Sequence, residues 1–211
     1  MTPEWIISRF DRKQHQPRKY SDTCDDFTAF RGDHNLNLDM SPKFRVDGSL
    51  KPAAVLVPIV KRSEGLTVLF TRRTEHLTHH PGQVSFPGGR TEEVDKSPEH
   101  TALRETEEEL GVPAEYIHIF GHLDDYITRT GFMVTPVVGI VDPSFPLKPD
   151  PSEVADVFEV PLSFLLNPDN HARHSRMFEG SERYFYAMPY NDYFIWGATA
   201  GMLINLYQVL S

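Results

Sequence analysis

Arg104-Glu105-Thr106-Glu107-Glu108-Glu109-Leu110-Gly111 decides the reading of this chain. Ser97 is a good N-cap and Pro98 suits the first turn behind it. Gly111 is a good residue just past a helix end, and Pro113 blocks any continuation. The spacing predicts a helix over residues 98–110, with Ala102 or Leu103, Thr106 and Leu110 on the core side. Glu105, Glu108 and Glu109 are three and four residues apart and share another face, while Glu107 points elsewhere. That shared face is unfavourable by itself. Like charges at this spacing destabilise a helix by about 0.2–0.5 kcal/mol per pair, and carboxylates late in a helix oppose its dipole. At a separation of about 6 Å, two carboxylates repel by about 2–3 kcal/mol at an effective dielectric near 20. Arg104 relieves part of this by pairing with Glu108 one turn on. A hard divalent cation, Mg2+ or Mn2+, relieves more, because it prefers carboxylate oxygen. A bare glutamate run ordinarily means a solvated acidic face, and it is the neighbouring residues that argue for more.

Working outward, Phe86-Pro87-Gly88-Gly89 precedes the helix. Its glycines allow close backbone approach to a ligand, and a glycine carbonyl is a fitting ligand for a hard metal. Upstream lie Arg72, Arg73, His76, His79 and His80. A basic cluster beside an acidic helix suits a phosphate ester bridged by metal. Cysteine and HExxH patterns are missing beside these histidines, so they do not read as a zinc site.

The remaining pattern is that of an α/β layered domain. Residues 1–50 read as a polar, partly irregular N-terminal arm, with one short helix near 3–10 and basic steps at Arg12-Lys13-Gln14-His15 and Pro17-Arg18-Lys19. Residues 51–211 read as the domain proper. Strands are expected over 53–60, 66–71, 116–120, 125–128, 132–141, 183–188 and 193–196, a loop over 142–151, a helical turn over 162–166 and a core-facing helix over 198–210. A chain of 211 residues with 24% charged residues suits one domain with an extra arm. Its net charge of −9 argues against nucleic-acid and anionic-membrane partners. Cys24 is the only cysteine, which excludes an intramolecular disulfide and fits a cytoplasmic location. The oligomeric state is open: the arm can cover the site, pair subunits as a homodimer, or do neither.

Together these residues resemble the Nudix hydrolase signature. Gly89, Asp95 and the run Arg104-Glu105-Thr106-Glu107-Glu108-Glu109-Leu110-Gly111-Val112 align with it. Asp95 stands where the family has glutamate, and Thr106 where an apolar residue is usual. The preceding Leu69-Phe70-Thr71-Arg72-Arg73-Thr74 and Gly82-Gln83-Val84-Ser85-Phe86-Pro87-Gly88-Gly89 look like the extra motif of the coenzyme A pyrophosphatase branch. The register is kept, the eight residues between Asp95 and Arg104 match that branch, and Thr78 replaces its arginine.

The resemblance implies an α/β/α sandwich with a mixed central sheet. It also implies hydrolysis of a small-molecule diphosphate, for coenzyme A giving 3′,5′-ADP and 4′-phosphopantetheine, with Mg2+ or Mn2+ as cofactor. Carried over by position, Glu105 and Glu109 are metal ligands, with Glu108 as a third or water-mediated one. Arg104 holds a glutamate in place. The base is Glu108, or a loop residue, for which Glu153 is the candidate. Arg72, Arg73, His80, Gly88 and Gly89 are the candidate substrate contacts. Two other readings stay open: a Nudix hydrolase of another nucleoside diphosphate derivative such as ADP-ribose, which Thr78 keeps in play, and a binding module of the same fold without catalysis.

Overall fold

The computed structural model describes residues 1–13, 30–37, 50–77, 80–178 and 180–211. The expectations resting on Gln14, His15, Pro17, Arg18, Lys19, Cys24, Thr78 and His79 fall outside the described residues.

The organising strand is β2 (Lys51–Arg62), buried on both faces. Ala54, Leu56 and Val60 pack on one side and Ala53, Val57 and Ile59 on the other. A strand covered by helices on both sides reads as a continuous apolar run, and residues 53–60 have that pattern. β1 (Arg31–Gly32), β3 (Gly65–Arg73), β4 (Val84–Ser85), β5 (Gly88–Arg90), β6 (Ile117–His122), β7 (Tyr126–Ile127), β8 (Phe132–Val141) and β9 (Val154–Pro161) complete its sheet. β2 runs parallel to β8, from Lys51 opposite Phe132 to Val60 opposite Val141, and antiparallel to β3 and β5. The sheet is therefore mixed. A second, antiparallel sheet contains β10 (Ala172–Phe178), β11 (Ser181–Tyr190) and β12 (Tyr193–Trp196).

Helices cover both faces of the large sheet. α2 (Pro98–Leu110) sets Ala102 against Ala54, Leu56 and Val137, and Leu110 against Val60, Leu69 and Val141. On the other face, α1 (Pro3–Lys13), the single turn α3 (Leu162–Leu165) and α4 (Gly197–Leu210) share one core with Val57, Val68, Phe70 and Val138. This is the α/β/α arrangement with a mixed central sheet.

Beyond the short β1, β4 and β5, two longer strands depart from the sequence expectation. β9 and β10 occupy stretches where no strand was expected. β9 lacks a two-residue alternation, its apolar residues being broken by Asp156 and Glu159, and it lies along β3. β10 is exposed over its middle, so it lacks the apolar face that marks a strand. Within the expected arm, α1 extends to Lys13 and buries Ile6 (0% exposed) and Phe10 (4%) in the common core. Phe10 meets the Phe120 ring edge-on at 5.1 Å and lies where a side chain on Gly121 would sit.

Phe10→Ala is expected to lower the unfolding free energy by about 3 kcal/mol, the usual cost of emptying a buried phenylalanine site. Chemical denaturation measures it. A loss below about 0.5 kcal/mol, the size of a surface substitution, would show that α1 does not help hold the core.

Candidate active site

α2 starts and stops where its sequence signals lie. Ser97 Oγ accepts the His100 N–H at 3.3 Å. Gly111 is left-handed, with φ of 66°, and its N–H donates to Glu107 O at 2.8 Å. The proline-rich loop then takes carbonyls that a helix end leaves unpaired. Lys148 N–H donates to Leu110 O at 2.8 Å, and Asp150 N–H to Glu109 O at 2.9 Å. Glu153 follows directly, in a turn tied to the end of β3. Thr74 N–H donates to Glu153 O at 2.9 Å, while Thr74 Oγ1 and His76 Nε2 donate to Ser152 O at 3.2 and 3.1 Å. Residues 38 to 79 positions apart in sequence are thus brought to one place by hydrogen bonds.

The carboxylates of α2 have different surroundings. Arg104 lies among Asp95, Glu105 and Glu108. It gives Asp95 two hydrogen bonds, from Nε at 3.1 Å and Nη2 at 2.9 Å, and Nη1 reaches Glu105 at 2.9 Å and Glu108 at 3.0 Å. Nη2 also donates to Arg90 O at 3.2 Å. The Asp95 carboxylate is enclosed and further accepts the Glu92 N–H at 2.9 Å and Thr101 Oγ1 at 3.0 Å. The Arg104 hydrogen bonds hold the Asp95 carboxyl well below the usual range. Glu108 keeps 60% of its side chain exposed, and Glu107 is exposed as expected.

Glu109 is the opposite case. It is only 5% exposed, and its partners are the Gly88 N–H at 3.4 Å and the Arg73 guanidinium at 3.8 Å. Burial pushes its carboxyl up to about 8, Arg73 opposes the rise, and the charges of Glu105 and Glu153 add to it. Glu105 is also raised, by burial first, against the pull of Arg104. Glu105 and Glu109, both on α2, therefore feel the charge of Glu153, which comes from a separate segment.

The glycine loop covers this cluster from the sheet side. β5 pairs with β2, placing Gly89 opposite Ala54 and Gly88 opposite Val55. A Cβ on Gly89 would fall 2.5 Å from the Glu105 carboxylate. On Gly88, where φ is 151°, it would fall 2.5 Å from Ala54 O and Val55 Cα. Only glycine lets this backbone lie against both the sheet and the carboxylate.

Beside the loop opens a cavity of about 340 Å³, within the usual size range of small-molecule sites. Gly88, Arg73 and His80 line it, and His80 Nδ1 lies 3.0 Å from Gln83 Oε1. Arg72 does not line it. Neighbours in a strand face opposite ways, and the Arg72 guanidinium lies 3.8 Å from Asp156. Among the described residues, no three His, Cys, Asp or Glu side chains form a ready-made metal cage. The donor set still fits a hard divalent cation. Mg2+ commonly keeps several waters and takes only one or two carboxylates, and the buried, undercompensated Glu109 supplies the charge demand.

Residues beyond those read from the sequence also matter. Asp95 was noted only as a departure from a pattern, and its part in fixing Arg104 appears with the turn that closes over it. Arg129, Arg176 and Arg183 line the cavity too. Their one sequence signal is arginine recurring in a stretch rich in aromatic residues.

A family model described as the NUDIX domain matches residues 50–180. The chain is 42% identical over 159 residues to proteins called uncharacterized Nudix hydrolase NudL from Yersinia pestis and Yersinia pseudotuberculosis, covering 75% of this chain and 79% of each relative. Among solved structures, it is similar to the NUDIX domain of Shewanella oneidensis NrtR complexed with ADP ribose, at TM-score 0.43 and 21% identity over 79% of this chain and 87% of that one. It is also similar to a MutT/nudix family protein from Enterococcus faecalis, at TM-score 0.47 and 18% identity over 75% and 61% of the two chains.

The Asp95 carboxyl is depressed in the folded chain, so its ionisation favours folding. That contribution is complete above the unfolded value, about pH 4, and is lost as pH falls through the lower folded value. Asp95→Asn is therefore expected to melt below wild type at neutral pH, with the gap closing in strong acid. Thermal melts across that range check it, and a gap independent of pH would contradict the assignment.

Proposed function

The chain belongs to the NUDIX domain family, and from that membership we propose that it is a Mg2+- or Mn2+-dependent diphosphatase cleaving coenzyme A, or a derivative of it, to 3′,5′-ADP and 4′-phosphopantetheine. The observation that carries the reading is the buried Glu109 beside Arg73, with Gly88 and Arg73 also lining the cavity. Support for coenzyme A as the substrate is the sequence pattern of residues 69–89. Thr78, where that pattern has arginine, favours a second reading, in which the diphosphate belongs to another nucleoside derivative such as ADP-ribose.

In this reading Glu105 and Glu109 hold the cation, Glu108 adds a third or water-mediated contact, and a glycine carbonyl at 88–89 completes the set. When bound, the metal offsets charge building on the diphosphate and makes an attacking water more acidic. Arg104, anchored on Asp95, fixes the direction of Glu105 and Glu108 and does not touch substrate. Arg73 and the Gly88 backbone receive the diphosphate, with His80 at the cavity wall. Arg72 is given no substrate role in this reading, because it does not line the cavity. The water oxygen attacks one phosphorus, the bond from that phosphorus to the bridging oxygen breaks, and the second phosphate leaves with that oxygen. The proton released by the water passes to Glu153. Glu153 suits this task better than Glu108, whose carboxylate is bonded to Arg104. A cytosolic location belongs to the same reading and rests on the sparse use of cysteine.

Mass analysis of products from coenzyme A and ADP-ribose, with Mn2+ in ¹⁸O-labelled water, tests the substrate and the phosphorus attacked. Rapid cleavage of ADP-ribose with none of coenzyme A would transfer the reading to its alternative. Binding of both without turnover would leave a binding module. Glu105→Gln and Glu109→Gln are each expected to lower kcat/KM by about a hundredfold or more. Glu153→Gln should lower kcat about a hundredfold with KM little changed, whereas an unchanged kcat would disqualify Glu153 as the base.

A further inference from the structure

The wall of the cavity carries a cluster of cations that the chemistry above does not use. Arg176 and Arg183 stand directly opposite each other in the β10–β11 pair. Arg129, between β7 and β8, joins them: its guanidinium lies 4.0 Å from the Phe178 ring centroid. Arg176 lies over the same ring at 5.8 Å and over Trp196 at 4.8 Å. All five residues line the cavity that Gly88 and Arg73 also line.

The chain has a net charge of −9, so carboxylates are plentiful. Even so, among the described residues no ion pair engages the Arg129 or Arg176 guanidinium, and their contacts are with ring faces. Stacking on a ring orients a guanidinium while leaving its N–H edge available. Two such edges in one cavity match the several acceptor oxygens of a phosphate group. A ligand whose diphosphate lay at Arg73 and Gly88 would have its remaining groups in a cavity that Arg129 and Arg176 also line.

We infer that Arg129 and Arg176 form a second anion site, which binds a phosphomonoester carried on the ribose of the nucleoside half of the substrate. Phe178 and Trp196 hold the two guanidiniums in place for it. The inference rests on the proposed diphosphatase reading for where the diphosphate lies. It adds that the protein discriminates nucleotides bearing an extra ribose phosphate from those lacking one.

Two measurements test it. Calorimetric titration of wild-type protein with 3′,5′-ADP and with AMP needs no turnover. Binding of 3′,5′-ADP is expected to be about tenfold tighter or more, the worth of an added charge-assisted contact, and Arg129→Gln or Arg176→Gln should remove most of that preference. Equal affinities for the two nucleotides would overturn the inference, whatever the enzyme cleaves. The second measurement is the ratio of kcat/KM for coenzyme A to that for its 3′-dephosphorylated form. In both variants this ratio is expected to fall about tenfold, and a ratio equal to that of wild type would overturn the inference while leaving the diphosphatase reading intact. Failure of wild type to cleave either compound, with the preference for 3′,5′-ADP retained, would overturn the coenzyme A reading and uphold the anion site. Arg176→Lys keeps the charge but loses the planar fork, and it should fall between wild type and Arg176→Gln. Melting temperatures establish that each variant is folded.

Discussion

Arg104 and Asp95 are the pair on which the site's geometry depends. A lone arginine among acidic neighbours would share itself loosely among them. Here the Asp95 carboxylate is enclosed and takes two nitrogens of the fork, which fixes the guanidinium plane. Glu105 and Glu108 are then left to share the remaining nitrogen, Nη1. The planar cation thus does two things that point charge could not do together. It offsets repulsion along one helix face, and it sets the direction of two carboxylates. Asp95 is kept in place by its own hydrogen bonds from Glu92 and Thr101, so the chain of support ends in backbone and in the first turn of α2.

The other constraint is backbone pairing. The β5–β2 pair draws Gly88 and Gly89 across the helix, and the loop bonds from Lys148 and Asp150 close the helix end. Segments near 88, 105 and 153 are consequently tied to one sheet and one helix by main-chain hydrogen bonds. Their side chains can be few and still be well placed, because sites carried on rigid elements are positioned more closely than sites on free loops. The same pairing explains why glycine is needed where a side chain would enter the Glu105 carboxylate.

Local signals made part of this legible in the sequence. The ends of α2 were readable because Ser97, Pro98 and Gly111 act within one turn of their own positions. β2 and β8 were readable because burial on both faces leaves an unbroken apolar run. β9 was not, because Asp156 and Glu159 look like loop residues until Arg72, Arg62, Thr67 and Tyr193 are brought alongside. Arg72 and Arg73 read as one basic cluster, but a two-residue period sends one towards Asp156 and the other towards Glu109. Asp95 was visible as an oddity, and its meaning lay in a turn that spacing alone does not reveal. Of the candidate site, the helix face was therefore legible by itself, whereas the opposing cations required the sheet.

Arg73 shows how the acidic and basic halves meet without cancelling. At 3.8 Å its guanidinium is beyond hydrogen-bond reach of Glu109. It therefore compensates the buried carboxylate only through space, which is why burial still pushes Glu109 up to about 8. A tight pair at this place would have satisfied both groups and left neither with anything to offer a ligand. The looser arrangement keeps the N–H groups of Arg73 available to an anion in the cavity it lines, and it keeps Glu109 short of positive charge. The contrast with Arg104 is physical. One arginine is held tightly by an enclosed aspartate and serves as support, while the other is held weakly, as the proposed function requires of a group that receives an anion.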